Sequence, residues 1–254
     1  MNNKRARHPY QGASQIFQYN WPFYAAALLL SAAGIVLLLM VDFPWWLRVI
    51  LVATIFVAIF WSITSLAVSH YVYDRSGLYQ FHWLPQLLPQ PPAVWINIHA
   101  GLDETSALLM QQFPDTQGQI LDIYDPAQMT EPAIKRARHL TPAELPSVPA
   151  DFRALPVAAQ SCDVAFVIFA AHELRTDAAR LSFFRELQRV LRPQGNVVLV
   201  EHQRDVANFI AFGPGAWHFL PRSIWLRTAR AANFNMTQEL KLTPFVRAFC
   251  LSKS

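Results

Sequence analysis

The chain has 254 residues, 53% of them hydrophobic and 15% charged, with a formal net charge of +4. That is too apolar for an ordinary soluble domain, in which about 25% of residues are charged. Two cysteines, Cys162 and Cys250, exclude a disulfide framework and a cysteine-built metal centre, and no nucleic-acid motif accompanies the basic charge, which anionic lipid headgroups explain more simply.

The apolar excess lies near the start of the chain. Residues 23–41 carry no charge, nor do residues 49–68, and each run is close to the length that crosses the hydrocarbon core as a helix. Between them Pro44, Trp45 and Trp46 suit a tight turn in the headgroup layer. A cleaved signal peptide also begins basic and turns apolar, but its apolar stretch is shorter and is not followed at once by a second. Lys4, Arg5 and Arg7 precede the first run, while Asp42 and Arg48 cancel in the turn. The positive-inside rule therefore predicts a multi-pass protein of the inner (cytoplasmic) membrane, with both termini in the cytoplasm. The expected organisation is a basic N-terminus over 1–22, a transmembrane hairpin over 23–69, an aromatic, proline-rich interfacial linker over 70–92 and a soluble domain over 93–254.

In that domain strands and helices alternate. Strands are predicted at 94–98, 118–123, 162–169 and 196–201, and helices at 104–112, 126–138, 177–190 and 221–232, with terminal strands at 236–242 and 245–251. The stretch 140–150, where a third strand is expected, carries Pro142, Pro146 and Pro149 and suits one poorly. The alternation predicts an α/β, Rossmann-like doubly wound, mostly parallel sheet, with a ligand site at the carboxyl ends of its strands.

Two segments carry a family resemblance. The run Phe183-Phe184-Arg185-Glu186-Leu187-Gln188-Arg189-Val190-Leu191-Arg192-Pro193-Gln194-Gly195 and the strand after it resemble the helix, "LRPGG" turn and fifth strand of the class I S-adenosylmethionine-dependent methyltransferases of type 11. Gln194 stands in place of the first glycine. Asp151-Phe152-Arg153-Ala154-Leu155-Pro156 is similar to that family's "D-A-x-x-L-P" segment, and the resemblance implies that Asp151 sits by the adenine of S-adenosylmethionine. It also implies an acid at the end of the second strand that accepts from the ribose hydroxyls. Asp122 fits by register; Asp125, directly before Pro126, is the rival and suits a helix cap better.

The family's first strand ends in a run like "D-x-G-x-G-x-G", whose glycines let the backbone approach the cofactor. The matching stretch here is Asn97-Ile98-His99-Ala100-Gly101-Leu102-Asp103, in which only Gly101 remains a glycine. Three readings stay open. Asn97, His99, Gly101 and Asp103 form an altered but working cofactor loop, with Asp103 facing the cofactor's ammonium group; or His99, Asp103 and Glu104 gather a divalent metal; or the loop is degenerate and the domain is a binding or scaffolding module.

After the fourth strand, His172 and Glu173 suit a general base and an orienting acid. The alternative is that His172 caps the strand while Glu173 pairs with Arg175 or Arg180. Glu201 and His202 end the fifth strand and carry a similar reading. The apolar loop 204–217 suits a cover over a lipophilic substrate, contact with lipid, or packing on the helix 221–232. Arg222, Arg227 and Arg230 suit an acidic headgroup or a solvated face. The expected protein is a membrane-anchored methyltransferase acting on a quinone, phenol or lipid precursor, with the bilayer as partner. A non-catalytic membrane-tethered module is the alternative.

Overall fold

The computed structural model describes residues 7–253. Lys4 and Arg5, on which the expected orientation partly rests, lie outside them. Helix α1 (Gln11–Met40) takes in the first apolar run and extends it back through residues 11–22, and α2 (Trp45–Ser69) takes in the second. Both are long and apolar enough to cross a membrane by length and composition. They pack closely because Gly34 has no side chain: a Cβ there would stand 2.9 Å from Ile55 Cδ1. The Tyr24 and Ser65 hydroxyls, 3.1 Å apart, add a polar tie.

Residues 70–92, expected as an interfacial linker, pack onto the sheet. The chain continues from α2 into a π-helical turn (His70–Arg75), a 3-10 turn (Leu78–Gln80) and the short helix α3 (Leu84–Leu87). Val72, Leu78, Tyr79, Phe81, Trp83, Leu84 and Leu87 are buried against Trp95, Phe166, Val198 and Val200 of the sheet. The aromatic composition that suggests a lipid surface serves instead to cover one face of the sheet.

That sheet contains β1 (Val94–His99), β2 (Gln117–Asp122), β3 (Val148–Pro149), β4 (Cys162–Ile168), β5 (Leu191–His202), β6 (Phe234–Lys241) and β7 (Val246–Lys253), in the order β3-β2-β1-β4-β5-β7-β6. β1 to β5 run parallel, and β7 pairs antiparallel with both β5 and β6. β3 exists but is two residues long, and one of the two is Pro149, which cannot donate to a ladder. Successive side chains alternate between faces: Ile96, Ile98, Val197 and Leu199 join one core, and Trp95, Val198 and Val200 the other.

The connecting helices are α4 (Ser106–Gln112), α5 (Pro132–Leu140), α6 (Asp177–Val190), α7 (Val206–Phe212) and α8 (Arg222–Ala231). α6 spans the predicted residues. Thr176 caps it by accepting from the Ala179 amide at 3.1 Å, and Phe183, Phe184, Leu187 and Val190 are buried on the first core. Burial of side chains of this size contributes roughly 2–3 kcal/mol each. The short α7, capped by Asp205 through the Asn208 amide at 2.9 Å, stands inside the stretch predicted to be a loop.

Candidate active site

The carboxyl ends of the parallel strands carry two clusters. The first lies after β1 and β2. Gly101 has a left-handed φ of 97°, which glycine adopts without strain. A Cβ on it would meet the Arg138 side chain of α5 at 2.9 Å. Arg138 Nη1 donates to Asp122 Oδ2 at 2.6 Å, and its guanidinium lies 4.4 Å from the centre of the Tyr124 ring. The other oxygen, Asp122 Oδ1, accepts from the Tyr124 amide at 3.0 Å.

The remaining residues of this loop are tied into the protein. Asn97 Nδ2 donates to Thr105 Oγ1 at 2.9 Å and to Ser106 Oγ at 2.7 Å. Asp103 Oδ1 accepts from the Thr105 and Ser106 amides at 3.1 and 3.0 Å, so it holds the start of α4. His99 is buried, and burial lowers its pKa, which keeps the ring neutral. Its Nδ1 accepts from the Gly101 amide at 3.2 Å, leaving the proton on Nε2, a buried atom with no hydrogen-bond partner among the described residues. Glu104 accepts from Arg7 and from the Tyr79 hydroxyl at 3.0 and 2.8 Å, so His99, Asp103 and Glu104 do not converge on a metal position. Asp151 is half-exposed in a turn after β3 and accepts from the Arg153 amide at 2.8 Å. Asp125 Oδ1 accepts from the Ala127 amide at 2.9 Å in a turn rather than at a helix start, because the helix predicted over 126–138 begins only at Pro132.

S-adenosylmethionine fits this first cluster on one condition. Gly101 provides backbone that a ligand can approach, and Asp122 provides the acceptor, but Arg138 fills the approach and uses the acceptor. The obstruction is the end of a flexible side chain that is 38% exposed. Gly101 and Asp122 become open to such a ligand only when Arg138 turns outward.

The second cluster lies after β4 and β5. Phe169 ends β4 with a φ of 52°, strained for a residue of its size. The chain then forms a 3-10 turn, Ala171–Glu173. His172 Nδ1 is 2.7 Å from Glu201 Oε2, and its Nε2 is 3.3 Å from Glu173 Oε1. His218, from the 3-10 segment Gly213–His218, places Nε2 3.7 Å from the same Glu173 oxygen. Burial opposes charge on His172, but Glu201 and Glu173 outweigh it and raise its pKa to about 10. The two histidines in turn overcome the burial of Glu173 and hold its carboxyl well below the usual range. The raised pKa favours a charged His172 ring that donates to Glu201 and Glu173. Arg175 does not pair with Glu173. Its Nη1 donates to the carbonyls of His172 and His218 at 3.1 and 2.7 Å, joining the two segments that carry the histidines. Arg180 pairs with Asp177.

His202, next to Glu201, belongs to the junction with the hairpin. Its Nδ1 donates to the Phe245 carbonyl at 3.1 Å and lies 3.2 Å from Asn208 Oδ1, while Nε2 accepts from the Tyr73 hydroxyl at 2.8 Å. Burial pushes its pKa down to about 4, so the ring is neutral. Thr64 of α2 donates to the Ala211 carbonyl at 2.9 Å, and the Trp61 ring lies where a side chain on Gly213 would be, 2.4 Å from the Cβ position. The hairpin thus joins the domain beside the strand ends. Arg138, His218 and Tyr73 are the site residues that sequence reasoning missed, since each reaches the site from a remote element.

Residues 109–199 match a family model described as a methyltransferase domain. The match begins beyond the Gly101 loop and includes Asp122, Asp151, His172 and Glu173. Solved structures share the fold. A protein described as a SAM-dependent methyltransferase from Aquifex aeolicus is 14% identical, with 71% of this chain and 94% of that one covered and a TM-score of 0.54. A protein from Pyrococcus horikoshii OT3 is 13% identical over 72% and 91%, with a TM-score of 0.52. The geranyl diphosphate C-methyltransferase of Streptomyces coelicolor A3(2), solved with Mg2+, geranyl diphosphate and S-adenosyl-L-homocysteine, is 12% identical over 74% and 83%, with a TM-score of 0.51. A search of curated proteins gives no match.

Proposed function

With a class I methyltransferase-like domain joined to an apolar hairpin as the premise, we propose that this protein is a membrane-anchored, S-adenosylmethionine-dependent methyltransferase. Its acceptor is a lipophilic small molecule of the quinone, phenol or lipid-precursor class. The hairpin supports the anchor. Leu28, Leu30, Leu39 and Phe56 are 66–82% exposed, whereas a core helix of a soluble protein would bury such residues, so lipid is their natural cover. The Arg7 side of the hairpin, with the domain, faces the cytoplasm by the positive-inside rule.

One observation carries the lipophilic acceptor. An exposed apolar strip runs from the hairpin to the second cluster: Trp61 of α2 packs edge-on against Phe209 at 5.9 Å, and Phe209 against Trp217 at 5.6 Å. Trp217 is 58% exposed and directly precedes His218. Val206 and Ile210, also exposed, extend the strip. An acceptor dissolved in the bilayer can follow this surface to His172, Glu173 and His218 without entering water.

When bound, S-adenosylmethionine supplies an electrophilic methyl group. Asp122 and Gly101 position it after Arg138 withdraws, and much of the rate follows from holding donor and acceptor in line. The alternative is a non-catalytic module, favoured by Arg138 covering Gly101 and occupying Asp122. Calorimetric titration of S-adenosylmethionine into the detergent-solubilised protein and into Arg138→Ala separates the two. Saturable binding is expected in both, about fivefold tighter in the variant, because a partly exposed ion pair worth about 1 kcal/mol no longer competes. Folded proteins that both fail to bind would make the non-catalytic module the leading reading.

A further inference from the structure

The second cluster has the donors of a metal site, held where a metal would need them. We propose that His172 Nε2, the Glu173 carboxylate and His218 Nε2 bind one divalent transition-metal ion, with Glu201 orienting His172. This inference concerns binding alone and stands whether or not the first cluster takes S-adenosylmethionine.

The three donor atoms lie within 4.8 Å of one another, with Glu173 Oε1 3.3 Å from one imidazole nitrogen and 3.7 Å from the other. Ligands about 2.1 Å from a tetrahedral ion stand roughly 3.4 Å apart, so the cluster needs only small side-chain adjustments. Two imidazoles and a carboxylate suit zinc, iron, cobalt or nickel better than magnesium or calcium, which prefer oxygen. Three protein ligands leave a coordination position for water or an acceptor oxygen.

Two independent observations point to a ligand. Glu173 Oε2 is buried, on a side chain only 8% exposed, and has no hydrogen-bond partner among the described residues. An uncompensated buried carboxylate oxygen is costly, and a cation would satisfy it. In addition, His172 Nδ1 faces Glu201 Oε2 at 2.7 Å while Glu201 Oε1 accepts from the His172 amide at 3.2 Å. A carboxylate behind a ligating histidine fixes its tautomer and orientation in metal sites generally.

The test uses the full chain, purified in detergent without a polyhistidine tag and stripped with a chelator. Zinc is titrated with metal content as readout, and cobalt with its visible absorption. One ion per chain is expected, with a rise in the thermal midpoint by mass action. Glu201→Gln should weaken binding about 10- to 100-fold, as loss of an orienting partner does. Glu173→Gln and His218→Ala should weaken it further. His218 is partly exposed, so that variant keeps its fold and should show no metal-dependent stabilisation. No saturable uptake of either metal, or equal uptake by the wild type, Glu173→Gln and His218→Ala, overturns the proposal.

Discussion

The two clusters sit on one sheet edge and solve opposite electrostatic problems. After β1 and β2, a largely buried carboxylate meets a partly exposed arginine from a helix, and water screens the arginine. After β4 and β5, two carboxylates and a histidine are buried together, and their charges depend on one another. The first arrangement can open by rotating one side chain, while the second can change only by exchanging a proton or a cation. The transferase proposed above would use both properties, an exchangeable cofactor seat and a fixed acceptor seat.

That contrast is open to attack, most severely at Glu201. Glu201→Gln keeps the shape but removes the charge opposite His172, and should lower stability by about 3 kcal/mol in chemical unfolding. A loss below 1 kcal/mol would show that the second cluster is as well screened as the first. A smaller effect is expected from pH. His202 titrates near 6.5 when unfolded and near 4 when folded, so the unfolded chain takes up a proton that the folded one refuses. Its contribution is complete above about pH 6.5 and falls as pH drops towards 4. Thermal midpoints of the wild type should therefore decline more steeply over that window than those of His202→Gln; parallel curves would refute a neutral buried ring. The smallest effect belongs to Arg138→Ala, which should cost no more than about 1 kcal/mol. A larger loss would make Arg138 a structural member of the first cluster, unable to yield to a cofactor.

The strand and helix pattern was legible because local periodicity writes it: α6 follows from its apolar spacing and its Thr176 cap, and β4 from a buried apolar run. Asp122 and the pair His172-Glu173 were legible because they end strands. Their partners were not. Glu201 and His218 meet His172 across 29 and 46 residues of chain, and Arg138 reaches Asp122 across 16, through contacts set by strand order. Asp103 drew three readings because its position matches a family glycine, while its tie to the Thr105 and Ser106 amides at the start of α4 has no periodic signal in the sequence. The packing of residues 70–92 on the sheet was not legible because aromatic and proline content is the same for a headgroup layer and for a sheet cover.

That cover has a bearing on how the protein is made. Residues 72–88 leave the ribosome before β5, the strand bearing Val198 and Val200, has been synthesised. At 5–20 residues per second the interval is on the order of ten seconds. Throughout it, Phe81, Trp83 and Leu84 have no sheet to bury them, yet they follow directly from α2. In the membrane-anchored protein proposed above, a nascent chain tethered by that helix would keep this sticky segment at one place on the membrane and away from other chains, and the hairpin would serve as an internal holding device during biosynthesis.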